Sequence, residues 1–204
     1  MVFTIKATTG VLIAMLATAT SCAYADDTSD AHAHHHHMMQ KTVITTADYI
    51  LPNINLVRDD GKTISFQEEL NDGRPVLMNF IFTTCKAVCP ISSRTFSRFQ
   101  DKLGADREKI LMVSISIDPE QDTPARLREY AHKYGAGPQW HFYTGTTEAS
   151  QAAQKAVDVY RGDKMNHVPV TLLRSAPGKP WLRMDGFASA DDLLREYRKL
   201  AAAP

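Results

Sequence analysis

Cys85 and Cys89 stand four positions apart in Cys85-Lys86-Ala87-Val88-Cys89-Pro90, just after the apolar run Val76-Leu77-Met78-Asn79-Phe80-Ile81-Phe82. If the chain coils after Cys85, both sulfurs face one point, within reach of a mutual disulfide or of a shared soft metal ion. A loop this short gains little from closure entropy, so a purely stabilising staple explains the pair poorly. A helix that starts here lowers the pKa of a thiol at its N-terminus, which makes a thiolate available for exchange or for metal binding.

His167 is the second candidate, because Met165-Asn166-His167-Val168-Pro169 immediately precedes the apolar stretch Val170–Leu173. In an open α/β sheet the loop before a late strand can lie beside a helix start, and a Val-Pro bond is a candidate for the cis form. Two thiolates and one imidazole make a soft donor set suited to Cu(I), and able to hold Cu(II) with one more light ligand. A structural zinc site closes with four protein ligands, and only three are evident here, so copper is favoured. In the acidic cluster Asp118-Pro119-Glu120-Gln121-Asp122-Thr123-Pro124 a carboxylate at the strand end could approach the same site, but the segment reads better as a helix-entry loop, and His132 and His141 read as ordinary helix and strand-edge residues.

The elements that must position these residues follow from periodicity. Asn53–Val57 and Thr63–Phe66 flank Asp59-Asp60-Gly61 as an N-terminal hairpin, with the domain proper starting near Ile50. Val76–Phe82 and Ile110–Ile117 are too continuously apolar to have a wet face and read as buried strands. Ile91, Phe96, Phe99 and Leu103 recur at helical spacing up to Gly104, and Leu127, Tyr130 and Tyr134 do so up to Gly135. Trp140–Tyr143 predicts a strand, Thr147–Val157 a helix, Val170–Leu173 and Trp181–Met184 a strand pair around Pro177-Gly178, and Asp191–Leu200 a closing helix. The order predicts an α/β domain whose central sheet is mostly parallel, with helices on both faces and an antiparallel edge.

The 23 basic and 23 acidic side chains balance, which removes the electrostatic argument for nucleic acid or an anionic membrane as partner. Lys6, the apolar stretch Val11–Ala17 and the small-x-small Ala23-Tyr24-Ala25 read as an export signal over residues 1–25, cleaved after Ala25. Ser21-Cys22 offers a weaker lipoprotein reading, with Ala19 a poor match to the aliphatic residue expected before it. Cleavage after Ala25 leaves Cys85 and Cys89 as the mature chain's cysteine pair, in a compartment where a disulfide can persist. Residues 26–48, with His32, His34, His35, His36, His37, Met38 and Met39, read as a disordered metal-collecting arm ahead of a 49–204 domain.

Phe80-Ile81-Phe82-Thr83-Thr84-Cys85 through Cys89-Pro90, Val113–Pro119 with Asp122-Thr123-Pro124, and His167 before a strand together resemble the Sco/SenC family. The resemblance runs from about Ile50 to Leu200 and implies a thioredoxin-like fold, a periplasmic or equivalent location, and copper held by Cys85, Cys89 and His167. It also implies a copper-accepting partner such as a cytochrome c oxidase subunit, for a chain expected to act as a monomeric metallochaperone. Asn166 departs from the acidic residue the family often carries before its histidine, and Val168-Pro169-Val170-Thr171 looks like the proline loop of thioredoxins. The alternative is therefore a thiol-disulfide oxidoreductase in which Cys85 attacks and Cys89 resolves. A peroxiredoxin-type peroxidase would want a threonine where Phe82 stands.

Overall fold

The computed structural model describes residues 42–202 together with Val2 and Thr4. Cys22, the His32–Met39 tract and the export signal apart from Val2 and Thr4 lie outside the described residues. Within the unit Met39–Pro204, eight strands form one sheet: β1 (Val43–Ala47), β2 (Asn55–Arg58), β3 (Thr63–Ser65), β4 (Val76–Ile81), β5 (Leu111–Ser116), β6 (Trp140–Thr144), β7 (Val170–Arg174) and β8 (Trp181–Asp185), in the spatial order β1-β8-β7-β4-β5-β6-β2-β3. The helices are α1 (Phe66–Leu70), α2 (Val88–Leu103), α3 (Pro124–Lys133), α4 (Thr147–Ala156) and α5 (Ala190–Ala202).

The centre of this sheet is dry on both sides, as the unbroken apolar runs require. Every residue of β4, β5 and β7 is buried, and alternate side chains go to opposite cores. Leu77 and Ile81 pack with Phe96 and Phe99 of α2, Leu127 and Tyr130 of α3 and Leu193 of α5. Val76, Met78 and Phe80 pack on the other face with Phe66 and Leu70 of α1 and Ala149 and Ala153 of α4. Helices thus cover both faces, and the arrangement is thioredoxin-like.

The expected predominance of parallel pairing is corrected. Of the seven strand pairings, only β4 with β5 and β5 with β6 are parallel. β7 enters from the His167 loop and lies antiparallel against β4, and the chain then turns back on itself at Gly178, φ +75°, so that β8 lies antiparallel against β7. An apolar run reports burial and not direction, so the sequence pattern could not choose between the two.

The expected arm and domain boundary are also corrected. Residues 43–47, assigned to the arm, form β1 and pair with β8 from Val43↔Asp185 to Ala47↔Trp181. The strand is held at a sheet edge by its backbone while Val43 to Thr46 stay exposed, which is why no apolar pattern announced it. The hairpin falls where its turn residues placed it, as β2 and β3 around Gly61 at φ +89°, a conformation that glycine adopts without a Cβ clash.

Candidate metal centre

The cysteines sit where β4 ends. The backbone N–H of Cys85 donates to the Phe82 carbonyl at 3.2 Å, closing a turn between strand and helix. α2 then starts at Val88 after Ala87, a residue that supplies no side-chain cap. The Cys85 sulfur takes that place, accepting from the Cys89 backbone N–H at 3.4 Å. The helix end thus turns its unpaired donors toward a sulfur, where serine, threonine or aspartate would ordinarily stand.

The two thiols are electrostatically unequal. Burial works to raise the Cys85 pKa, but the N–H groups of Cys89, Ala87 and Val88 and the Cys89 thiol outweigh it and hold Cys85 below the usual cysteine value. Burial pushes the Cys89 thiol far up, and the neighbouring Cys85 and Asp122 add to the shift. Cys89 is 1% exposed, whereas Cys85 is half-buried, so one sulfur is presented and the other is held in reserve behind it.

His167 reaches the same place from the other side. It lines a cavity of about 300 Å³ with Phe82, Cys85, Val88 and Met165. Its Nε2 lies 3.0 Å from the Phe80 carbonyl oxygen. Because a carbonyl can only accept, Nε2 carries the proton and Nδ1 keeps the free lone pair, an arrangement typical of metal-binding histidines. Burial lowers the His167 pKa, the Phe80 bond opposing it only in part, so the ring stays neutral and able to donate that pair. The structure brings two of the three expected ligands, Cys85 and His167, to one cavity and buries Cys89 behind Cys85: among the described residues, no three His, Cys, Asp or Glu side chains converge closely enough to hold a metal ion. The Val168-Pro169 bond is not cis, since no peptide bond among the described residues is.

The residues that the helix-entry reading of the acidic cluster set aside are the tethers. Asp118 is 6% exposed and accepts from Lys164 Nζ at 2.7 Å, which ties the His167 loop to the end of β5. Asp122 is fully buried and accepts from the Thr83 backbone N–H at 3.1 Å and from Ser116 Oγ at 2.6 Å, with Thr83 Oγ1 donating as well. It clamps the cysteine turn to the end of the neighbouring strand. Thr123 caps α3 and Pro124 opens it, as a helix-entry loop should, but the two aspartates serve the site. Adjacent Asp-Pro and Asp-Thr-Pro signals conceal this, because helix entry already accounts for their composition. His132 and His141 line a different cavity.

The SCO1/SenC family matches residues 43–202 of the chain. The chain belongs to that family. Among relatives, it is 32% identical to the SCO1 protein homolog of Bacillus subtilis over 103 residues, 50% of this chain and 52% of that one. It is 30% identical to the protein SenC of Rhodobacter capsulatus over 118 residues, 58% of this chain and 52% of that one. The matched part thus spans about half the length of these relatives. Among Sco structures, Arabidopsis thaliana ScoI with copper bound superposes with a TM-score of 0.62 at 26% identity, over 74% of this chain and 97% of that one. BsSco, described with a disulfide switch and as a member of the Sco family of cytochrome c oxidase assembly proteins, gives 0.64 at 25% identity, over 79% and 99%. The family match begins at β1, the strand that apolar patterning did not reveal.

Proposed function

We propose that this protein is an exported copper-binding metallochaperone that takes copper on Cys85, Cys89 and His167 and passes it to a copper-accepting protein such as a cytochrome c oxidase subunit. The observation that carries the reading is a helix-start thiol pair whose exposed member, Cys85, shares a cavity with a neutral imidazole whose Nε2 is engaged and whose Nδ1 is free. Two sulfurs and one nitrogen are donors that copper accepts in either oxidation state. The copper-bound ScoI structure and the naming of BsSco as an assembly protein support the ion and the class of partner. Residues 1–25 support export to the periplasm through their charged start, apolar middle and Ala23-Tyr24-Ala25, and the His32–Met39 tract suits a copper-collecting arm.

When bound, copper supplies the ligand-exchange chemistry of the cargo. The chain positions two thiols on the helix end, and the Phe80 carbonyl fixes the protonated nitrogen of His167. His167→Ala is expected to abolish tight Cu(II) binding while leaving the Cys85/Cys89 redox couple largely intact. Copper titration of the reduced protein, followed by its thiolate-to-copper absorption band, tests this. A variant that binds Cu(II) as the parent does would remove His167 from the ligand set.

The inequality of the two thiols favours a second activity at the same sulfurs. A Cys85 thiolate attacks a substrate disulfide and expels one substrate thiolate; Cys89 then gives up its proton, attacks the Cys85 sulfur and releases the other. Vigorous disulfide reduction by the copper-free protein would establish this thiol-disulfide oxidoreductase reading as the main role.

A further inference from the structure

Met165 is 74% exposed, a large apolar side chain left in solvent beside a site built of soft donors. Its thioether contributes nothing to either core, yet its backbone is held. Asp163 Oδ1 accepts from the Met165 N–H at 2.8 Å, and Lys164 on the same short turn is paired with Asp118. The His167 N–H closes the turn onto the Lys164 carbonyl at 3.1 Å. One pinned turn therefore presents both Met165 and His167 to the cavity that Cys85 lines.

The two side chains differ in the copper they prefer. An imidazole nitrogen serves both oxidation states, whereas an uncharged thioether binds Cu(I) and holds Cu(II) poorly. Met has three rotatable bonds and can search a volume from a fixed backbone, unlike a ring anchored on the Phe80 carbonyl. We infer that Met165 is a further copper ligand of this chain, supplying its sulfur to Cu(I) beside the two cysteines at the mouth of the cavity. This rests on the copper-binding reading above. Taking up the thioether forms one copper–sulfur bond in place of one to nitrogen or solvent and moves neither a proton nor an electron. An exposed third ligand would leave Cu(I) reachable by an incoming thiolate or thioether of an acceptor.

The test uses the full chain labelled with methyl-¹³C methionine, reduced and titrated anaerobically with one equivalent of Cu(I). The Met165 methyl signal is assigned by its loss in Met165→Leu, which keeps size and apolarity but removes the sulfur. That signal is expected to shift as the thiolate-to-Cu(I) ultraviolet band grows. Competition with a Cu(I) chelator is expected to show about tenfold weaker retention in the variant, at the lower end of what lost outer partners of a metal ligand already cost. The variant should lose much more Cu(I) than Cu(II) affinity. A thiolate band that grows while the Met165 methyl stays still, or a variant that retains Cu(I) as the parent does, overturns the role of Met165 and leaves the cysteine site standing. No thiolate band at all overturns copper binding by Cys85 and Cys89, and Met165 with it.

Discussion

The two sides of the cavity are built by different means. On one side the cysteine turn continues a strand whose every residue is buried and runs straight into a helix, so its position follows from the main chain and from the cores on either face. On the other side the His167 loop is exposed from Arg161 to Asn166 and is held by single side-chain contacts: Lys164 on Asp118, Asp163 on the Met165 N–H, and His167 on the Phe80 carbonyl. Phe82 stands between them, with its ring 6.4 Å from that of His167 and Lys164 Nζ 5.9 Å from its centre. A rigid thiol pair facing a tethered imidazole suits a site that must take up an ion and release it. It also explains how Cys85 and His167 can share a cavity without forming, with Cys89, a closed cluster among the described residues.

That contrast can be broken most severely at its rigid side. Asp122→Ala leaves the Thr83 N–H and the Thr83 and Ser116 hydroxyls without their acceptor at a fully buried position. The expected cost is about 2–4 kcal/mol, from the desolvation of stranded donors. Thermal unfolding should show Tm several degrees lower, and an unchanged Tm would mean that the cysteine turn does not depend on this clamp.

At the tethered side the effect should be confined to metal binding. Asp118→Asn removes the charge that holds Lys164, and Cu(II) affinity is expected to fall about two- to fivefold, what the loss of a partly exposed ion pair can transmit to the His167 loop. The rate of Cys85 alkylation should not change. If the same substitution alters both, the two sides are not independent.

The smallest effect separates the two sulfurs themselves. Because the Cys85 pKa is lowered, its thiolate forms at lower pH than an ordinary cysteine's. Its alkylation rate by iodoacetamide should rise with pH and reach half of its plateau at lower pH than an ordinary cysteine does. Cys89, buried and shifted upward, should stay unmodified over that range. Peptide mass analysis that found equal rates at the two positions would remove the inequality on which the exchange reading rests.

Much of the rigid side was legible in the sequence. Val76–Phe82 reads as a buried strand by its length and unbroken apolarity, the residues after Cys89 repeat at helical spacing, and a thiol pair between them falls at a strand end and a helix start. The strand β1 was not legible, since none of Val43 to Thr46 is buried in either core and the strand is held at the sheet edge by backbone pairing. Nor were Asp118 and Asp122, whose composition is satisfied locally by helix entry while their carboxylates act across the sheet.

By itself the sequence determined the thiol pair, its place after a buried strand and the presence of a soft third donor in a later loop, because these depend on contiguous residues and short periods. Only the tertiary structure decided that β7 runs against β4, that His167 rests on the Phe80 carbonyl, and that Lys164 and Asp118 hold its loop beside Cys85. Strand direction and side-chain tethers are settled by partners distant in the chain, and no local pattern of burial or propensity encodes which partner that will be.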